Sequence, residues 1–558
     1  FTAYDTNLAQ GKFWILLGAM AIYFGIVSLS RRDVWRLAGA AGPLGASIAI
    51  YFVMSNNWRQ WPAEIGLFNQ IGGMWMSLRP SLPLPVLHPN TLAGMMALLL
   101  PFNIAFGIYA WRQRQMRWLQ LAIISGSITV GGLLFSSAIG AWLAIAVGLG
   151  IWFLWETSDK LRRKLPFSQK MIFIGLMAGL FLLGFLFLSF ALRSGAGQEG
   201  SSTRLALAQQ TLFLIEDFGL TGSGLATFPA LYAQYVQVTP VFFAAYSNFF
   251  LDIWLEQGVF ALISMLIVLG GSFWLLLKQS AFWTKKAVQQ PVVPAETGAV
   301  ETTRRRRRRR RRNKSISDGE MVLFRWAAFA SMVVMILHGL IDDALYGDQA
   351  SPLLFFAPAM VILVTRRRQR RDAPPISVRR YWVMGLAVTA VLLAALFVGF
   401  RQTVQAQWAA NLGALQLTRA ELMGWPTNQW DAGGDLQRFD AATALFERAL
   451  AVDPQNRTAN HRLGTIAMIK RDYETAVFHL EQAQAASDSY RGITKSLGYS
   501  YVWHDRLDQA TETLREIPES RAEMAVYSSW WEQRNRPDLA AKAGEMTMIL
   551  QDVALLDP

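Results

Sequence analysis

Arg204 opens a segment whose residue types and spacing point to chemistry on an anion. A guanidinium keeps its charge and presents a planar fork of donors that matches phosphate oxygens. The competing role for a loop arginine is a headgroup contact or a surface salt bridge. A predicted amphipathic helix, Leu205–Glu216, follows, and then the turn Gly219-Leu220-Thr221-Gly222-Ser223-Gly224-Leu225. Glycines at 222 and 224 permit tight backbone turns whose amides can face an anion. Further on, Tyr246-Ser247-Asn248 stands at the entry to an apolar stretch. His338 and Asp342 are spaced i,i+4, so the carboxylate can orient the imidazole on one helical face, or the histidine can simply bond a neighbouring loop. Asp252 and Glu256 share that spacing, and structural pairing with arginine or backbone is expected there. His88 precedes Pro89 at a helix entry, where Asn90 or Thr91 can serve as the cap.

What is missing narrows the chemistry. The chain has no cysteine, which excludes disulfides, thiolate catalysis and cysteine-ligated zinc. Its membrane half holds two histidines, His88 and His338, and no pair shows metal-ligand spacing. There is no P-loop, no G-x-S-x-G elbow and no dinucleotide fingerprint.

The elements that must position these groups are membrane helices. Of 558 residues, 53% are hydrophobic and 16% charged, against about 25% charged in soluble domains. A spanning helix needs roughly 20 apolar residues. Ten stretches qualify: Lys12–Leu29, Trp35–Met54, Thr91–Trp111, Trp118–Ser136, Ile139–Trp155, Met171–Leu192, Phe249–Leu277, Met321–Leu340, Pro352–Val364 and Tyr381–Phe400. The second carries a Gly42-Pro43 interruption and the ninth is short. Basic residues fill alternate loops, Arg31–Arg36, Arg112–Arg117, Lys160–Lys170, Lys278–Lys314 and Arg366–Arg380. Cytoplasmic loops retain lysine and arginine. The loops carrying Asn90, Arg204 and Asp342 are therefore expected outside, as are Phe1 and the C-terminal region. A start at Phe1 on the outer side is expected to lack at least one preceding helix.

The net charge is +14, concentrated in the run Arg304 to Arg312 and in Arg366–Arg371. Basic residues between apolar spans set topology. A nucleic-acid-binding protein would spread them over a folded face, so no nucleic-acid partner is expected. Residues 280–320 are expected to be disordered by mutual repulsion and drawn to anionic headgroups.

Residues 401–558 are polar, acidic on balance and repeat every 34 residues. Leu463-Gly464 recurs as Leu497-Gly498, Ala442 as Ala476 and Ala510, and Phe446 as Leu480 and Leu514. This is the period of tetratricopeptide helix pairs, in which a small residue lets two helices approach and a large one fills the groove. About four repeats fit, with Pro454 and Pro518 between repeats and Trp425–Leu436 inserted in the first. Such solenoids receive protein partners. The expected fold is thus all-α: a transmembrane bundle of about ten spans over residues 1–400, with a large external loop at 193–248, then an external tetratricopeptide-like domain over 401–558.

Taken in order, Arg204, the helix, Asp217-Phe218-Gly219-Leu220-Thr221-Gly222-Ser223-Gly224-Leu225-Ala226-Thr227-Phe228, Tyr232, and Ser247-Asn248 through Gly258 resemble the signature loop of the O-antigen ligase and polymerase superfamily. His88-Pro89-Asn90-Thr91-Leu92-Ala93-Gly94, Gly140-Ala141-Trp142-Leu143 and His338-Gly339-Leu340-Ile341-Asp342-Asp343 resemble family segments too. The resemblance implies an inverting, GT-C-type glycosyltransferase of the cytoplasmic membrane. It would use a lipid-linked glycan on undecaprenyl diphosphate at the outer face, without metal or other cofactor. Arg204 would clamp the diphosphate, and His338 with Asp342 would serve catalysis. Asn90, Tyr246, Ser247 and Asn248 would bind substrate. Two positions depart from the family: Ser247 stands where a histidine is usual, and Ile139 where an arginine is frequent. They leave open a second class, a noncatalytic membrane anchor whose repeats recruit partners. A transporter is a third class, without the repeated broken helices it would need.

Overall fold

The computed structural model describes residues 3–556 except 64, 81–83, 165, 170, 180–197, 239–246, 279–317, 344, 348–350, 367–399, 424–435 and 488. Tyr246, the arginine run, the Tyr381–Phe400 stretch and most of the stretches Met171–Leu192 and Trp425–Leu436 lie outside the described residues. Within them the chain is helical, with no strand.

The membrane half contains α1 (Thr6–Ser28), α2 (Val34–Ser55), α3 (Gly66–Leu78), α4 (Pro89–Arg112), α5 (Met116–Ser136), α6 (Ile139–Arg162), α7 (Gln198–Glu216), α8 (Phe228–Tyr232), α9 (Phe249–Lys278), α10 (Asp318–Ile341) and α11 (Phe356–Thr365). Seven of the described helices are long and apolar enough to cross a membrane: α1, α2, α4, α5, α6, α9 and α10. The apolar windows of α4 and α10 are 78% and 72% buried, against 17% and 22% in α1 and α9. The first two therefore form the centre of the bundle and the last two its rim. At the centre, the Ser331 hydroxyl of α10 donates to the Leu98 carbonyl of α4 (2.8 Å).

α2 is a span as expected and runs through Gly42-Pro43 as one helix; Gly42 lies directly against Asn103 and Ser125 and leaves no room for a side chain. One sequence expectation changes. The stretch Pro352–Val364 is a turn followed by the ten-residue α11. At 1.5 Å per residue that helix is about 15 Å long, half a bilayer core. It is a plug buried inside the bundle.

The chain order puts Pro89, Phe249 and Ile341 at one end of the bundle, and Arg112, Arg162 and Lys278 at the other. The polar residues near Asn90, Ser247 and Asp342 thus gather at the end away from the basic loops.

The C-terminal half comprises α12 (Arg401–Glu421), α13 (Asp440–Val452), α14 (Arg457–Lys470), α15 (Tyr473–Ala486), α16 (Arg491–Trp503), α17 (Leu507–Leu514), α18 (Ser520–Glu532) and α19 (Pro537–Leu556). They pack as four successive pairs. Small-against-large contacts recur inside three of them: Gly413 meets Phe446, Gly464 meets Leu480 and Gly498 meets Leu514.

Candidate functional site

A cavity of about 470 Å³ lies where the polar end of the bundle meets α7 and α8. Arg204, Asn90, Ser247 and Asp342 line it, with Trp61, His88 and Asp343. Four of the predicted site residues, more than 250 positions apart at the extremes, therefore share one wall. Arg204 sits on α7 and is exposed. One of its terminal nitrogens donates to the Ile341 carbonyl (3.2 Å). Among the described residues it forms no ion pair, and its side chain lines the cavity.

Asp342 stands just beyond the end of α10. It accepts from the Asn90 side chain and from the Asp343 amide (2.8 Å). Burial opposes its charge, but the bond with Asp343 and the facing His338, His88 and Arg204 outweigh it and hold the carboxyl below its usual range. Asp343 goes the other way. Burial, then the bond and charge of Asp342 and the charge of Asp252, push it well above that range. The two neighbouring carboxyls are thus shifted in opposite directions. His88 rather than Asn90 or Thr91 caps α4: its Nδ1 accepts from the Asn90 amide (3.2 Å). That leaves the Asn90 side chain available for Asp342. Trp61 packs edge-on against the His88 ring, 4.6 Å between centroids.

The glycine turn has a different task from the one its composition implies. α9 is broken at Gly258, whose φ of 80° only glycine adopts without strain. A break leaves carbonyls without helical partners. Those of Leu255 and Glu256 accept from the Ser223 and Gly224 amides (2.8 and 2.9 Å), while the Val259 amide donates to Gly219 (2.9 Å). The amides at 223 and 224 are therefore consumed as a splint and do not form an anion cradle. Gly222, with φ 71°, touches the backbone of residues 256–258 so closely that any side chain would collide.

Behind the splint lies a buried charge cluster. Lys12 of α1 pairs with Glu256 at 2.8 Å, both side chains fully buried. The ammonium also lies 3.9 Å from the centre of the Tyr346 ring, whose hydroxyl donates to Glu256 (2.9 Å). Glu256 thus has a structural partner, as expected, but a lysine 244 positions away instead of an arginine. Asp252 accepts from the Ser247 amide (3.2 Å) and so fixes the cavity entrance to α9.

The other face of the segment 198–238 docks on the C-terminal helices. Asp217, fully buried, accepts from Arg457 (2.9 Å), Thr458 (2.7 Å) and Arg462. Arg457 also bridges Glu216 (2.7 Å). The Arg462 guanidinium stacks on Tyr235 at 3.4 Å, and the Tyr235 hydroxyl donates to Glu421 (2.8 Å). Lys495 reaches the Gln237 carbonyl (2.5 Å). Leu214, Phe218, Leu231 and Tyr235 share one apolar core with Ala410, Phe446, Ala459 and Ile493. The helix that carries Arg204 is thereby held from behind by the C-terminal domain.

Two predicted residues stand apart from the cavity wall. Asn248 caps α9, its side-chain oxygen accepting from the Phe250 and Leu251 amides (3.2 and 3.1 Å). His338 is buried in the core of the bundle against Gly140, with neither ring nitrogen hydrogen-bonded among the described residues. Its i,i+4 relation to Asp342 is realised along the backbone, the Asp342 amide donating to the His338 carbonyl (2.8 Å). Ile139 is 64% exposed on the outside of α6. Trp61 and Asp343 were not singled out as site residues by sequence. Their signal was position alone, in loops at the polar end.

No curated protein and no solved structure gives a match to this chain. Residues 124–266, which carry Arg204, the glycine splint and Ser247, match the family model for O-antigen ligase.

Proposed function

We propose that this multi-pass membrane protein is a glycan ligase or polymerase. It transfers a glycan from undecaprenyl diphosphate to an acceptor hydroxyl at the outer face of the cytoplasmic membrane. The observation that carries the proposal is Arg204: a cation held in no ion pair among the described residues, on the wall of a 470 Å³ cavity that it shares with Asp342, inside the segment that matches O-antigen ligase. In the reaction the acceptor oxygen bonds to the anomeric carbon on the face opposite the diphosphate. The bond from that carbon to the diphosphate oxygen breaks, and its electron pair leaves with the diphosphate. Arg204 stabilises the charge that develops there. The acceptor proton passes to Asp342, which Asn90 and the Asp343 amide hold in place. The activated diphosphate supplies the driving force, so the scheme invokes neither nucleotide nor metal. The C-terminal pairs act as a tetratricopeptide-type domain outside the membrane, receiving a protein partner, and the arginine run meets anionic headgroups on the opposite face.

The test is incubation of the purified protein with undecaprenyl-diphosphate glycan and candidate acceptors. Release of lipid diphosphate, lost in Arg204→Ala, is expected. One observation favours the second reading, an anchor that recruits partners: Ser247, which lacks the basicity of the histidine usual in the family, occupies the cavity wall. No turnover with any acceptor, together with stable co-purification of a large assembly, would establish it.

A further inference from the structure

α3 was not anticipated as a helix, and its composition is unusual for one at a water-exposed position. Its thirteen residues include no charged side chain. Leu67, Ile71, Met74 and Leu78 recur at i, i+4, i+7 and i+11, and their exposures are 61%, 37%, 61% and 77%. That is a continuous apolar stripe on one face, of a kind that marks an interaction surface. The opposite face is fixed to the protein. Trp58 lies on Gly72, leaving no room for a side chain there. The Trp75 indole donates to the Val53 carbonyl (3.0 Å) and Arg79 to the Met54 carbonyl (2.7 Å), both in the last turn of α2. Phe68 packs on Phe135 in the last turn of α5, 5.1 Å between centroids.

The helix is about 20 Å long, too short to cross a bilayer. Its anchors are the ends of α2 and α5 at the polar end of the bundle, the level of the cavity. Next to Phe135, the α5 residue that Phe68 touches, Leu134 is exposed, and so is Ile139 at the start of α6. The lipid-facing surface of the bundle therefore continues onto α3. Arg59 and Arg79 flank it, where cations can reach lipid phosphates.

From this geometry we infer that α3 lies in the plane of the membrane, with Leu67, Ile71, Met74 and Leu78 immersed in the outer leaflet at its headgroup boundary. It is a lipid-surface contact that fixes the height of the cavity. Gln60 and Trp61, a few residues before α3, line the cavity, so an immersed α3 holds the cavity lip where a lipid-linked diphosphate would lie. That last link rests on the transferase reading; the immersion does not.

The absence of cysteine makes the test direct. Single cysteines at Leu67, Met74 and Leu78 of the full chain are labelled with a nitroxide in nanodiscs of phosphatidylethanolamine and phosphatidylglycerol. Collision rates with oxygen and with a water-soluble nickel chelate are compared with those of Met548→Cys, on the exposed face of α19. Immersion predicts chelate rates several-fold lower than at 548, oxygen rates higher, and depths of about 5–10 Å. Chelate rates equal to those at 548 would place α3 in water and overturn the inference. Low rates for both quenchers with spin–spin broadening would place a second copy on the stripe and overturn it equally. Three independent sites keep the result readable if one variant misfolds. A Leu67→Gln, Met74→Gln variant is expected to raise KM for the lipid-linked donor and leave kcat unchanged. Wild-type protein without turnover would sink the transferase reading while leaving the quenching result intact.

Discussion

Two arginines on either side of the segment 198–238 contrast a cation spent on structure with the one proposed to meet a ligand. Arg462 is fully buried, bonded to Asp217 and stacked on Tyr235. Arg204, on the same segment's opposite face, is exposed, touches a backbone carbonyl and is in no ion pair among the described residues, sharing its cavity with Asp342. A buried charge must be neutralised where it stands, since desolvation costs several kcal/mol per ion. A charge lining a cavity does not bear that cost, because water solvates it until an anion arrives. The difference separates the domain interface from the candidate site using residues of one chemical type.

The sharpest break of this comparison is Arg462→Ala. It leaves the Asp217 carboxylate buried with a weakened set of partners, and removing one member of a buried pair costs about 3–5 kcal/mol. The expected outcome is a large fall in the midpoint of urea unfolding, with protease cleavage near Asp217 at concentrations that spare the wild type. If stability is unchanged, the docking surface is not held by its charges and the apolar core alone sustains it.

Arg204 should respond in the reverse sense. Arg204→Ala is expected to leave the unfolding midpoint within about 0.5 kcal/mol of wild type, as exposed substitutions do. It should lower kcat for transfer about 10²- to 10³-fold, the loss seen when one donor to a developing oxyanion is removed. Arg204→Lys should recover part of that loss, because a point charge replaces the fork. A destabilised Arg204→Ala with normal kcat would reverse the two arginines' roles.

The spans at α1, α2, α4, α5, α6, α9 and α10 were legible because a bilayer demands a long apolar run, and hydropathy reads such runs directly. α3 was not, since thirteen residues with two adjacent glycines fall below that length. Arg204, Asn90, Ser247 and Asp342 could be named from their loops, whereas the Lys12–Glu256 pair could not. Nothing in local spacing links positions 244 apart. The glycine turn was misread for a physical reason: a run of glycine amides suits an anion and a broken helix equally well. The choice was made by Gly258, 34 residues downstream. His338 was named with Asp342 because i,i+4 places side chains on one helical face. Asp342 lies just past the helix end, and His338 acts on it through charge, with no side-chain hydrogen bond among the described residues.

The interface also carries a pH test. His461 is buried between Arg457 and Arg462. Burial first, then those two positive charges, hold its pKa well below 6.5. An unfolded His461 takes up a proton below pH 6.5 while the folded one does not. Its contribution is therefore intact above pH 6.5 and is lost as the pH falls below it, by up to about 1.4 kcal/mol per pH unit. Urea unfolding at pH 7.5 and pH 5.5 should show this fall, and His461→Gln should flatten it. An equal fall in the variant would assign the effect to carboxylates such as Glu519, which its surroundings hold below the usual value and which titrates at lower pH.

The smallest expected effect separates a cap from a ligand. The Asn248 side chain is spent on the Phe250 and Leu251 amides at the start of α9. Asn248→Ala should cost about 1 kcal/mol, the usual loss for a helix cap. Because that helix start also places Ser247 through the Asp252 carboxylate, kcat is expected to fall a few-fold while KM for donor and acceptor stays constant. Asn248→Asp and Asn248→Ser restore the cap without restoring an amide, so both should recover stability and rate together. If stability recovers but KM is raised in all three variants, the amide reaches substrate. Asn248 would then join Arg204 on the ligand side of the loop.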